Sequence, residues 1–372
     1  MMRPAFSSTG QAAAFALLLF SLLLLPLIMG KSLLPPREQI YSSIWWANGA
    51  YPYLDQQIFE EKGDIDIAFI GASHIWQGID TPYVQKQLSG KLGRQAVVRT
   101  FGWGGSGYDA LYFIAQDLLE HRKVRTLVYY DVYDEEDIPR IPHVLAPRWF
   151  RFGDNAEALS GLSGTVQASY YFASVLGMPR NLLCLISPNK PADLFALSTN
   201  CWVIKQRALN PAGQLGALTE MLGYAARLPD HAPYMEYLPA TPAAPSEACI
   251  YSPKTKSQFE FGGMQLPPAQ LHFARKFVEL AKAHGCQLIL LHVPVLSERK
   301  SPVIREHLFW PDMLHADIAM VGIPAAKLFS NLTENDILKL YCDQAHFNKN
   351  GQAYFTTLIT PALLSLYDVK NK

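Results

Sequence analysis

The hydrophobic pattern begins with an unbroken apolar block. From Ala12 to Met29 the chain reads AAAFALLLFSLLLLPLIM, with no charged residue. As a helix, a run of this length rises ~27 Å, close to the hydrocarbon thickness of a bilayer. The pattern therefore predicts an N-terminal transmembrane helix within residues 1–30. A cleavable signal peptide needs a shorter apolar core and small residues at the cut, and Gly30-Lys31-Ser32-Leu33 offers no such site. An uncleaved anchor is the expectation. Arg3 precedes the run while Lys31 and Arg37 follow it, so charge bias alone does not orient it.

Residues 31–63 read as a juxtamembrane stalk. Pro35-Pro36 breaks regular structure, and then Ile40, Ile44 and Trp45 fall at helical spacing, with Trp46 widening the face.

From residue 64 the period changes to strand–loop–helix. Ile65-Asp-Ile-Ala-Phe-Ile70 is short, apolar and β-branched and ends at Gly71, the pattern of a buried parallel strand. Thr81-Pro82 opens a helix towards Leu92, because proline suits a first turn. Ala96–Thr100 predicts a second strand, followed by glycine-rich Phe101–Gly107 and a helix over 109–121. Thr126–Tyr130 predicts a third strand, ending in the acidic stretch Asp131–Asp137. Periodicity then lapses across 138–263, apart from helical stretches such as Ala208–Leu228; this reads as an insertion capping the active-site edge. The alternation resumes with a helix over 267–284, strands at 287–292 and 318–321, and a last helix from about Asn350 to Tyr367. Strands alternating with helices imply a mainly parallel α/β sheet covered on both faces.

The chain has 372 residues, 49% of them hydrophobic, enough for one large α/β domain plus an insertion. Lys+Arg and Asp+Glu are both 32, so no basic excess points to nucleic acid. Cys184, Cys201, Cys249, Cys286 and Cys342 are an odd set, and none shows zinc-ligand spacing. Cys184 and Cys201 can pair with each other, or either with Cys249; five unpaired thiols fit equally well.

In open α/β sheets, ligands bind beyond the carboxyl ends of the strands. Three features fall there. Gly71-Ala-Ser-His74 places Ser73 in the turn after the first strand. Gly102-Trp-Gly-Gly105 follows the second strand, where glycines let backbone N–H groups approach a developing oxyanion. Asp343-Gln-Ala-His346 precedes the last helix, and a carboxylate three residues ahead of an imidazole can fix its tautomer. Each alone has an ordinary explanation: a turn serine, a glycine loop, a capping aspartate with a surface histidine.

Together, in this order, they resemble the SGNH (GDSL-like) hydrolase superfamily. The resemblance covers residues 64–137 and 267–367. It implies a flavodoxin-like three-layer parallel sheet, here with an inserted cap. It implies a triad of Ser73, Asp343 and His346, with the backbone N–H groups of Ser73 and Gly105 as the oxyanion hole, and neither cofactor nor metal. The N-terminal anchor resembles the branch that includes the D-alanyl-transfer protein of teichoic acids and the alginate O-acetylation proteins. That branch implies an extracytoplasmic esterase or O-acyltransferase acting on a glycan, with an integral membrane acyl-donor protein as partner. Two departures stand out. Ala-Ser-His replaces the common Asp-Ser, and Asp131-Val-Tyr-Asp134 lacks the asparagine expected after the third strand. Tyr133 is a candidate replacement donor. Trp103 and Tyr108 are candidates to stack on a sugar, and His292, at a strand end, to contact substrate. A catalytically inactive scaffold that binds a glycan or an assembly partner is the competing expectation.

Overall fold

The computed structural model describes residues 6–29, 54, 56–102, 107–130, 156–171, 249–262, 266–313 and 318–370. The stalk helix, the acidic stretch Asp131–Asp137, the segment Ala208–Leu228, Cys184 and Cys201 lie outside the described residues.

Helix α1 runs Thr9–Met29. Its Phe15, Leu17, Leu18 and Phe20 side chains are all exposed. Among the described residues no helix is long and apolar enough to cross a membrane. The anchor therefore remains an expectation of the sequence.

The body is a five-stranded, all-parallel sheet of β1 (Ile65–Gly71), β2 (Val98–Gly102), β3 (Val124–Tyr130), β5 (Gln287–Leu291) and β7 (Ile318–Val321), in the order β2-β1-β3-β5-β7. Numbered within this sheet the order is 2-1-3-4-5, the doubly wound arrangement of flavodoxin-like folds. Every residue of β1 and of β5 is buried, as expected for strands covered on both faces. The strand order reverses between β1 and β3, the position outside whose carboxyl ends ligands bind in open α/β sheets.

Helices α2 (Ser73–Gly78), α3 (Thr81–Leu92), α4 (Tyr108–His121), α5 (Pro268–Ala283), α6 (Ala325–Leu328), α7 (Glu334–Leu338) and α8 (Lys349–Lys370) connect or cover the strands. Helices α4 and α5 pack together, with Tyr112, Phe113 and Phe273 in ring contact. Helix α8 packs against α2 and α3. A second sheet pairs β4 (Phe259–Phe261) with β6 (Ile304–Glu306) in parallel.

Part of the expected insertion belongs to this body. Ile250 bridges Val321 antiparallel, Tyr251 N–H donates to the Met320 carbonyl, and Gly322 N–H donates to that of Cys249. These bonds tie residues 249–251 to the edge strand β7. Residues 156–171 dock on α4 and α5: the Tyr170 hydroxyl donates to Asp109 Oδ2 at 2.6 Å, and the Ala158 carbonyl meets His272 Nε2 at 2.7 Å. Cys249 and Cys286 are free and buried and Cys342 is free and exposed, which fits the unpaired alternative for these three thiols.

Helix α8 is fastened at both ends, which matters because it carries the site loop. At the amino edge of the sheet, Asp66 on β1 accepts from Arg94 at 2.6 and 2.9 Å, from Val97 N–H at 2.8 Å and from the Tyr367 hydroxyl at 2.8 Å. Burial alone would raise the Asp66 carboxyl, but these donors outweigh it and hold it below its ordinary value. At the carboxyl edge, Gln352 Nε2 donates to the carbonyls of Trp76 and Ile79, and Thr356 Oγ1 donates to that of Gly78 while accepting from Asp80 N–H.

Asp80, the N-cap of α3, differs from Asp66. It accepts from Tyr83 N–H at 3.2 Å but is buried, and burial pushes its carboxyl up to about 6 against that bond. The folded state therefore binds a proton here more tightly than the unfolded state does. Stability is unaffected below pH ~4, falls as pH rises through about 6, and stays reduced above it. Asp80→Asn keeps the capping acceptor without the buried charge. It is expected to stabilise the protein by about 2–3 kcal/mol at pH 8 and by little at pH 4, at ~1.4 kcal/mol per pKa unit. Thermal unfolding at the two pH values checks this; an equal shift at both would rule out ionisation of Asp80 as the cause.

Candidate active site

The carboxyl edge of β1 leads directly into α2. Ala72 occupies the N-cap position with no side-chain capping bond, and Ser73 is the first helical residue. Ser73 is thus not the cap of this helix. The first N–H groups of a helix have no partner within it, so Ser73 begins a segment whose backbone donors point outward. The Ser73 side chain lies outside what the structure describes, as do Trp103, Gly105 and Tyr133.

Facing α2 is the loop before α8. Tyr341 and Phe347 form an antiparallel bridge, and Cys342 N–H donates to the His346 carbonyl at 2.9 Å, closing a tight turn over 342–346. Asp343 sets the turn from inside. Its Oδ1 accepts from Ala345 N–H at 2.7 Å and His346 N–H at 2.8 Å, the local pattern that suits aspartate to turns. The carboxylate also accepts from His346 Nδ1, at 3.0 Å to Oδ1 and 2.8 Å to Oδ2. Burial alone would raise Asp343, but the Ala345 and His346 donors lower it overall, so it is ionised at neutral pH. With Nδ1–H donated to the carboxylate, Nε2 is the ring nitrogen that can accept a proton, the arrangement a general base needs.

Two contacts lock this loop in place. Asn348 Oδ1 accepts from Asn350 and Gly351 N–H, while its Nδ2 donates to the Lys339 carbonyl. Gly351 approaches so closely that a Cβ there would run into the Leu340 carbonyl.

Loop and α2 meet directly. The rings of His74 and His346 stack with centroids 4.5 Å apart and planes 28° from parallel. Cys342 Sγ lies 3.6 Å from Gln77 Oε1 on α2. The residue after Ser73 therefore rests on the imidazole that Asp343 orients, although the two lie at opposite ends of the fold's sequence. Burial, reinforced by the neighbouring His346, depresses His74 to about 4. His74 is consequently a neutral ring at physiological pH. His74 lies as a flat surface against His346.

Two of the expected substrate contacts are buried. Tyr108 is buried, stacks on Tyr129 at 5.3 Å, and donates its N–H to Gln270 Oε1; it is a core residue, not an aromatic wall open to a sugar. His292 is buried too, between Glu306 and Glu298. A strand-end position suggested the cleft; the side chain is buried and paired with the two carboxylates. Among the described residues no group of three or more His, Cys, Asp or Glu side chains is arranged to hold a metal ion.

No family model matches the chain, and a search of curated proteins finds no relative.

Proposed function

We propose that this chain is an SGNH-type serine O-acyltransferase or acylesterase acting outside the cytoplasm on a cell-surface or exported polysaccharide. The observation that carries the reading is the Asp343–His346 pair, set at the carboxyl edge of a 2-1-3-4-5 parallel sheet and stacked against the residue that follows Ser73. His346, oriented by Asp343, takes the Ser73 hydroxyl proton at Nε2. Ser73 attacks the ester carbonyl, and the N–H groups of Ser73 and Gly105 hold the oxyanion. His346 then gives its proton to the leaving alcohol, and an acyl-serine remains. Water as second acceptor makes the protein an esterase; a glycan hydroxyl makes it a transferase. The experiment that tests this is labelling of Ser73 by a fluorophosphonate probe in the full-length chain, together with hydrolysis of p-nitrophenyl acetate.

The competing reading is an inactive scaffold that binds a glycan or an assembly partner. It is favoured by Asp131-Val-Tyr-Asp134, which lacks the third-block asparagine; loss of one oxyanion donor typically costs ~10²–10³ in rate. Absence of both labelling and hydrolysis would select it.

Helix α1 is proposed as a membrane anchor with residues 31–372 outside the cytoplasm, which places the site beside an integral membrane acyl donor. The charge-free run and its exposed leucines and phenylalanines support this. Topology reporters fused after residue 40 and at the C-terminus are expected to read extracytoplasmic. A cytoplasmic signal from both would overturn it.

A further inference from the structure

Beneath the site loop lies a second titratable cluster that the proposed chemistry does not use. His292, just past β5, is 5% exposed. Its Nδ1 lies 3.0 Å from Glu306 Oε1 on β6, and its Nε2 lies 3.3 Å from Glu298 Oε2. An imidazole that donates from both nitrogens is an imidazolium. Burial alone would depress it, but the two carboxylates overcome this and push it up to about 10. Burying three ionisable groups is costly unless each is well paired, and such an arrangement is weak evidence for stability in itself. What it does specify is geometry.

That geometry leads to the catalytic loop. Glu298 Oε2 also accepts from Val295 N–H at 3.0 Å, and Glu298 N–H donates back to the Val295 carbonyl, closing the turn 295–298. From this turn Leu296 N–H donates to the Gln344 carbonyl at 3.0 Å, between Asp343 and His346 in sequence. One residue earlier, the Pro294 carbonyl accepts from the Tyr341 hydroxyl at 2.9 Å, where the Tyr341–Phe347 bridge closes the same loop. Val293 packs against Gly78 so tightly that a Cβ there would lie 2.9 Å from Val293 Cγ1. Segment 293–298 thus touches both halves of the proposed machinery, the Asp343–His346 loop and the end of α2.

We propose that the Glu306–His292–Glu298 cluster is a positioning device: it clamps the 293–298 turn, and through that turn holds the Asp343–His346 loop in place against α2. Its catalytic part rests on the acyl-transfer reading above. Glu298 is the adjustable member, since it bonds both His292 and the turn's own backbone and is partly solvent-exposed.

The test compares Glu298→Ala with Glu298→Gln in the full-length chain. Glutamine keeps an acceptor for Val295 N–H and His292, whereas alanine removes it. Two readouts are taken: hydrogen exchange of the amides in 341–347, and the rate at which the fluorophosphonate probe labels Ser73. For alanine, exchange is expected to accelerate about tenfold or more as the loop opens more often. Labelling is expected to slow about 10–100-fold, the scale of a small misplacement at a reacting centre. Glutamine should restore most of both. Unchanged exchange in the alanine variant overturns the clamp, and so does faster exchange with unchanged labelling. Should Glu298→Ala fail to fold, Glu298→Asp, one methylene shorter, must move both readouts in the same direction. If wild-type Ser73 is not labelled at all, the acyl-transfer reading falls, while the exchange readout alone still decides whether the cluster holds the loop.

Discussion

Ser73→Ala should abolish both probe labelling and ester hydrolysis, with a loss on the order of 10⁶ in kcat, the scale seen when a serine nucleophile is removed from a triad that acts as a unit. The fold should survive. Ser73 is the first residue of α2 while Ala72 holds the cap position, so no capping bond is forfeited. Alanine is also the best helix former. The interactions that seat α2 run through other groups: the Trp76, Gly78 and Ile79 carbonyls to α8, and the His74 ring to His346. Circular dichroism and thermal unfolding should therefore be near wild type while turnover vanishes. An active preparation that keeps its rate after this substitution would remove Ser73 from the mechanism.

How far the sequence could be read depended on whether the deciding contacts were local. β1, α3 and β7 were placed within a residue, because a continuous apolar run or a Pro-led helix start carries its own boundaries. β2 was placed two residues early, because Gly102 read as the start of a turn when in fact it pairs with Gly71 at the end of the strand. Helix α2 was not foreseen: six residues are too few to display a helical period, and it is held mainly by bonds from α8. The three-residue strands β4 and β6 were missed for the same reason of length. The Asp343–His346 pair was visible because a three-residue spacing closes its own turn. Neither the His74–His346 stack nor the burial of His292 was visible, since each is decided by residues brought from another part of the chain. An aromatic or a histidine at a strand end can turn towards the cleft or beneath it, and period-two reasoning does not say which.

The Asp343→Asn substitution isolates the orienting role of the carboxylate from its structural one. Asp343 does two jobs with two oxygens. Oδ1 accepts the Ala345 and His346 N–H groups and shapes the turn, while Oδ2, at 2.8 Å, makes the shorter bond to His346 Nδ1. Asparagine can keep its carbonyl oxygen at the Oδ1 position and preserve the turn. Its amide nitrogen then takes the place of Oδ2, and an NH₂ group can only donate to the imidazole. Nδ1 must now accept, so the ring proton moves to Nε2, and His346 can no longer take a proton from Ser73. In serine-protease triads this tautomer reversal costs about 10⁴ in kcat with geometry retained, and a loss of that order is expected here. Asp343→Ala, which removes the turn acceptor as well, should lose comparable activity and also destabilise the fold. The contribution to stability has a definite sign: a carboxyl held below its ordinary value of 3.8 adds stability above that pH and loses it as pH falls through the lowered value. The asparagine variant should accordingly unfold at nearly the wild-type temperature in strong acid and somewhat lower at pH 7. An Asp343→Asn protein that turns over within about tenfold of wild type would mean that His346 does not need this carboxylate to act as a base, and the triad would reduce to a serine and a histidine.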